Sequence, residues 1–111
     1  MKIRFVADKK IIDEVQSLIG RSSDVSAAVA YWGKNSVKET GITQRKKGST
    51  RILCDLFSGA CNPDEVLKLL KCGVEVKTLD GMHAKVWVNR DTAIVGSANA
   101  SANGLGFEGS K

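Results

Sequence analysis

Apolar positions along the chain alternate between a period of two and a period near 3.6. Ile3, Phe5 and Ala7 alternate with Lys2, Arg4 and Val6, which predicts a strand over 2–7. Asp8 then stands where an N-cap belongs. Ile11, Ile12, Val15, Leu18 and Ile19 follow at helical spacing, and Gly20 closes that helix. Residues 25–32 are small and β-branched and predict a buried strand ended by Gly33, with a short helix over 34–40. Residues 41–50 (GITQRKKGST) read as a polar, basic loop, and 51–57 (RILCDLF) as another strand, turned by Ser58 and Gly59. Asn62-Pro63-Asp64-Glu65 is a helix start, with Asn as N-cap, Pro in the first turn and two acids on the positive end of the dipole. Val66, Leu67, Leu69 and Leu70 are expected to face inward, and Gly73 to end the helix. Strands follow over 74–79, 84–88 and 92–95, the last two joined by the tight turn Asn89-Arg90-Asp91.

Strands alternating with helices predict an α/β layered domain, a mostly parallel central sheet flanked by helices, with a hairpin at the end. With no internal repeat, a single proline and no Ser/Gly linker, residues 1–111 read as one domain. A chain of this length buries roughly two thirds of its extended surface, enough for a core without staples. The ordinary balance of 42% apolar and 26% charged residues excludes a disordered or collagen-like chain. Cys54, Cys61 and Cys72 are odd in number and widely spaced, so free thiols in a reducing compartment are expected rather than a disulfide framework. No apolar run approaches a membrane span, and the start lacks a signal peptide's apolar stretch; a cytosolic location is expected. Lys and Arg total 17 against 12 Asp and Glu, a net charge of +5 that favours polyanionic partners such as nucleic acid or anionic lipid head groups.

The chemistry concentrates late in the chain. His83 is the only histidine, and Lys85 lies two residues on, on the same face of an extended segment. Ser97 and Asn99 follow a hairpin length later, again two apart, inside the small and Gly-rich stretch 96–111 (GSANASANGLGFEGSK). If the two strands pair, His83, Lys85, Ser97 and Asn99 line one site. A base or nucleophile, a fixed cation, a hydroxyl and an amide are groups that attack phosphorus and hold its nonbridging oxygens.

Residues 83–101 (HAKVWVNRDTAIVGSANAS) resemble the HKD signature of the phospholipase D superfamily, His-x-Lys followed by Gly-Ser-x-Asn. Tyr31-Trp32-Gly33 and the segment 54–65 (CDLFSGACNPDE) look like its small bacterial branch, which includes nucleases and the catalytic domains of some restriction enzymes. The resemblance implies a phospholipase D-like fold, minimal or truncated at its C-terminus, and a metal-independent phosphodiesterase without a cofactor. One histidine attacks phosphorus to form a phosphohistidine. A second protonates the leaving oxygen and then activates water, while Lys and Asn bind the phosphate. With one histidine per chain, that route implies a homodimer with a composite site. Imidazole suits both roles because its ordinary pKa, about 6.5, makes both protonation states available near neutrality.

The sequence departs from the family in two places. The Asp that usually follows the histidine by seven residues is Arg90 here, and Asp91 reads as a turn residue. The acid that often orients the histidine lies beyond the Asn in relatives, and Glu108 is the only acid in that region. A nuclease is the leading expectation. The alternatives are a phospholipase D-like lipid phosphodiesterase and a non-catalytic nucleic-acid-binding module.

Blander readings stand beside these. Ser97 and Asn99 are also turn formers, and Lys85 also suits a solvated strand. Arg45, Lys46 and Lys47 are either phosphate contacts or a solvated loop. Tyr31 and Trp32 either line the site or pack. Cys54, Cys61, Cys72 and His83 lack the close pairs of a zinc site, and Cys54 fits the core.

Overall fold

A computed structural model describes residues 2–4, 11–59 and 61–96. The elements run β1 (Lys2–Arg4), α1 (Ile11–Gly20), β2 (Val25–Val29), α2 (Ser36–Thr40), a 3₁₀ turn (Ile42–Gln44), β3 (Thr50–Cys54), α3 (Pro63–Lys71), β4 (Glu75–Thr78), β5 (Lys85–Val88) and β6 (Thr92–Val95). The expected α/β class is observed. One six-stranded sheet has the order β1-β6-β5-β2-β3-β4. Five strands run the same way and only β5 runs against its neighbours, so the sheet is mostly parallel. The β5–β6 hairpin is also as expected, with Val86 opposite Val95 and Val88 opposite Ala93.

Strand alternation sorts the side chains. Ile52, Ala27, Trp87 and Ile94 lie in one row across β3, β2, β5 and β6. That row joins Val15, Leu18 and Ile19 of α1, Val37 of α2 and Leu69 of α3 in a single core. The described helices therefore cover one sheet face. Trp32 and Trp87, both fully buried, meet edge to face with centroids 5.3 Å apart, an arrangement that aromatic quadrupoles favour.

Several boundaries and one helix face differ from expectation. β2 ends at Val29 and β3 at Cys54; one further residue of each, Ala30 and Asp55, still bonds to its neighbour before the chain turns into the loops at the sheet's carboxyl edge. The first strand is described only to Arg4, and Asp8 lies outside the described residues. The 41–50 stretch is not simply a loop, since its 3₁₀ turn buries Ile42. In α3, Leu69 is buried but Leu67 and Leu70 are half exposed, against the inward orientation expected of all four apolar residues. At about 100° per residue, the stripe through Glu65 and Leu69 turns 67 and 70 away from the sheet. Glu65 takes the inner place because its carboxylate is used: Oε1 accepts from Val37 N at 3.0 Å and Oε2 from Lys68 Nζ at 2.8 Å. The Asn62 cap is as expected, its side chain accepting from Asp64 N at 2.9 Å. Gly73 follows α3 at φ +78°, where a β-carbon would also strike the side chain of Lys47.

The expected turn at 89–91 does more than reverse the chain. Asn89 Oδ1 accepts from the backbone N–H groups of Asp91 and Thr92, at 2.9 and 2.8 Å. Its Nδ2 donates to the carbonyl of Leu18 near the end of α1, at 2.8 Å. The hairpin is thereby tied to the helix layer, and Asp91 sits in the turn as expected.

Candidate functional site

The carboxyl ends of β2, β3, β4 and β6 and the amino end of β5 share one edge of the sheet. β2 and β5 adjoin where the chain's progress across the sheet reverses: β2 leads outward to β3 and β4, and β5 leads back to β6. Ligands of open α/β sheets bind beyond the strand carboxyl ends at such a reversal. His83 stands there, exposed, two residues before β5.

The approach to His83 is set locally. Met82 N donates to Leu79 O at 3.2 Å, closing a turn over 79–82. Gly81 takes φ +76° in it, a value glycine adopts without strain. Met82 is buried and pins the segment, leaving His83 outside it. Ala84 O accepts from Ala30 N at 3.2 Å, extending the β2–β5 ladder past Val29 and Lys85. Lys85 is half-buried, and its Nζ donates to the carbonyl of His83 at 2.8 Å. Gly96 N donates to Lys85 O at 3.1 Å, so β6 ends directly against the segment that carries His83 and Lys85.

The structure thus brings His83, Lys85 and Gly96 together. Ser97, Asn99 and Glu108 lie outside the described residues. Tyr31 is half-buried at the same edge, whereas Trp32 is wholly buried and packs on Trp87, its Nε1 donating to Val29 O at 3.2 Å.

The 45–49 loop is elsewhere. Val25 N donates to Ser49 O at 3.0 Å, which puts the loop at the amino ends of β2 and β3, a strand length from His83. Arg45 is committed to structure there. Its guanidinium donates to the carbonyls of Ile19 (2.5 Å), Ser22 (2.9 Å) and Ser23 (2.9 Å), and Nε donates to Thr50 Oγ1 at 2.6 Å. Burial pulls its pKa below the ordinary guanidinium value and Asp24 opposes that pull.

Two features of this edge were not foreseen from sequence. Asp55 is buried, and its Oδ1 accepts from Phe57 N and Ser58 N at 3.0 and 3.3 Å, folding the loop after β3 over the sheet end. The same loop returns Cys61 beside Cys54, with the Cys61 Sγ 3.5 Å from the carbonyl oxygen of Asp55, and the pairing pulls Cys61 below the ordinary thiol value and pushes Cys54 above it. An Asp-x-x-Ser turn signal was present in the sequence; nothing in it paired the cysteines. Among the described residues, no helix is long and apolar enough to cross a membrane. In comparison with known proteins, no family model matches the chain and no curated protein matches it.

Proposed function

We propose that the protein is a metal-independent phosphodiesterase of the phospholipase D type, acting on nucleic acid through His83. The observation that carries this reading is strand register. β6 ends at Val95, and the next residue, Gly96, donates its N–H to Lys85 O, so the Gly-Ser-x-Asn run starts where His-x-Lys arrives. The edge location and the net charge of +5 support a polyanionic substrate.

In this mechanism the imidazole of His83 attacks phosphorus, a P–N bond forms and the P–O bond to the leaving group breaks. The imidazole of a second copy gives the leaving oxygen its proton. It then takes a proton from water, whose oxygen attacks phosphorus and breaks the P–N bond. Lys85 neutralises the nonbridging oxygens and Asn99 helps to hold them, Ser97 lies beside them in the motif, and Glu108 orients the histidine. Because each chain carries one histidine, the active unit is a two-fold homodimer.

The test is cleavage of single- and double-stranded DNA in excess EDTA by wild type and His83→Ala. Cleavage by wild type alone, with binding retained in the variant, supports the reading. Equal cleavage by both contradicts it. Salt-sensitive binding without cleavage by either leaves a nucleic-acid-binding module. A lipid phosphodiester is the second reading, and one observation favours it: Leu56, Phe57 and Leu79 are exposed on the loops after β3 and β4, at the edge that holds His83. Hydrolysis of phosphatidylcholine vesicles with no action on DNA selects it.

A further inference from the structure

The thiols of Cys54 and Cys61 belong to neither the proposed mechanism nor the turn network around it. Cys54 ends β3 and is fully buried; its Sγ lies 3.8 Å from Lys77 O. Cys61 comes back after the six-residue excursion 55–60, and its Sγ lies 3.5 Å from both Ala30 O and Asp55 O. Asp55 is the residue next to Cys54, and its own N–H donates to Ala30 O at 2.9 Å. The Cys61 thiol is therefore held over the end of the β2–β3 ladder, beside Cys54. Asn62 N fixes its other side by donating to Trp32 O at 2.8 Å. Both cysteines are free thiols, and so is Cys72 at the end of α3.

We propose that Cys54 and Cys61 form a dithiol site that a peroxide converts to an intramolecular disulfide. The Cys61 sulfur attacks one peroxide oxygen, an S–O bond forms and the O–O bond breaks. The departing hydroxide leaves as water with the thiol proton. The Cys54 sulfur then attacks the sulfenic sulfur, an S–S bond forms, the S–O bond breaks, and a second water leaves with the Cys54 proton. Two thiols lose two electrons and one peroxide gains them. The assignment of Cys61 as attacker follows from its partner: a hydrogen bond from the Cys54 thiol pulls Cys61 down to about 7, and the thiolate is the nucleophile. Leu56, Phe57, Ser58 and Gly59 between them are exposed, which puts the cysteines beneath a surface loop at the sheet's carboxyl edge.

The experiment treats reduced, full-length protein with hydrogen peroxide, blocks remaining thiols with N-ethylmaleimide and maps peptides without reduction. The expected product has lost two hydrogens, carries a single maleimide on Cys72 and yields one cross-linked pair, Cys54 with Cys61. Dithiothreitol reverses it, and Cys72→Ser forms the same link. Full maleimide labelling of all three cysteines after peroxide overturns the proposal. A link through Cys72, or Cys61 oxidised to sulfinic acid with Cys54 still free, overturns it equally. Wild type alone suffices, so the test does not depend on a core variant folding or on the proposed phosphodiesterase activity.

Discussion

Lys85 reaches back along its own chain and donates from Nζ to the carbonyl oxygen of His83 at 2.8 Å. The contact holds an ammonium within two residues of the imidazole and steadies the segment that presents it. A carbonyl is a weaker partner for an ammonium than a phosphate oxygen, so in the proposed mechanism a phosphodiester would take the cation over without a rearrangement of the strand. Lys85→Met should lower turnover by about 10²–10³-fold, the usual cost of removing a group that stabilises developing charge. Rates at saturating DNA measure it, and turnover within twofold of wild type contradicts the role given to Lys85.

Arg45 and Lys46 should behave differently although they adjoin in a basic stretch. Arg45→Ala strips donors from the carbonyls of Ile19, Ser22 and Ser23. It should cost at least about 2 kcal/mol, read as a shift of the urea midpoint. Lys46→Ala, exposed and at the far end of the strands from His83, should leave stability within about 0.5 kcal/mol. Its turnover should stay within twofold of wild type. A large loss of turnover in Lys46→Ala would put the site at the wrong edge.

Asn89 is predicted to matter for folding and not for chemistry. Asn89→Ala leaves Leu18 O without its donor and removes the acceptor that holds Asp91 N and Thr92 N. A loss of about 1–3 kcal/mol is expected in urea unfolding. No loss there would mean that the hairpin does not depend on its tie to α1.

The thiol pair gives stability a pH dependence of known sign. Hydrogen bonding from Cys54 lowers Cys61 in the folded protein to about 7 from the ordinary 9.0. The unfolded chain therefore binds more protons between those values, and stability rises with pH from about 7 toward 9. The gain is fully present above the unfolded value and lost as pH falls through 7. Cys54 is raised by the same hydrogen bond and by burial, so it acts oppositely and costs stability above pH 9. Urea midpoints across pH 6–10 should pass through a maximum, and Cys61→Ser should remove the rise below 9. A monotonic wild-type profile contradicts the thiol contact.

How far the sequence disclosed this structure depended on the kind of signal. Alternation and capping are local, so the strand and helix order, the Asn62 cap and the β5–β6 hairpin were all legible in it. The inward face of α3 was misjudged because four apolar residues at 66, 67, 69 and 70 cover more than one face. The buried carboxylate of Glu65, whose partner Val37 lies 28 residues away, decides which side turns in. Arg45 looked like a surface cation because its acceptors are backbone carbonyls 22 to 26 residues distant, which composition does not show. At the candidate site, the His-x-Lys spacing was visible in sequence, and the meeting of Lys85 with Gly96 followed from hairpin length. The approach of Cys61 to Cys54 depends on the Asp55 turn and on β2 beside it, which no spacing rule conveys.

The central claim is that His83 becomes covalently bonded to phosphorus. The most direct measurement is to mix the protein with a labelled oligonucleotide in EDTA, quench within one turnover under alkaline denaturing conditions, and map any protein-bound label. The account predicts an alkali-stable, acid-labile nucleotide adduct on the peptide carrying His83, absent in His83→Ala. Cleavage that proceeds through a full turnover with no adduct, or with one at another residue, would contradict it.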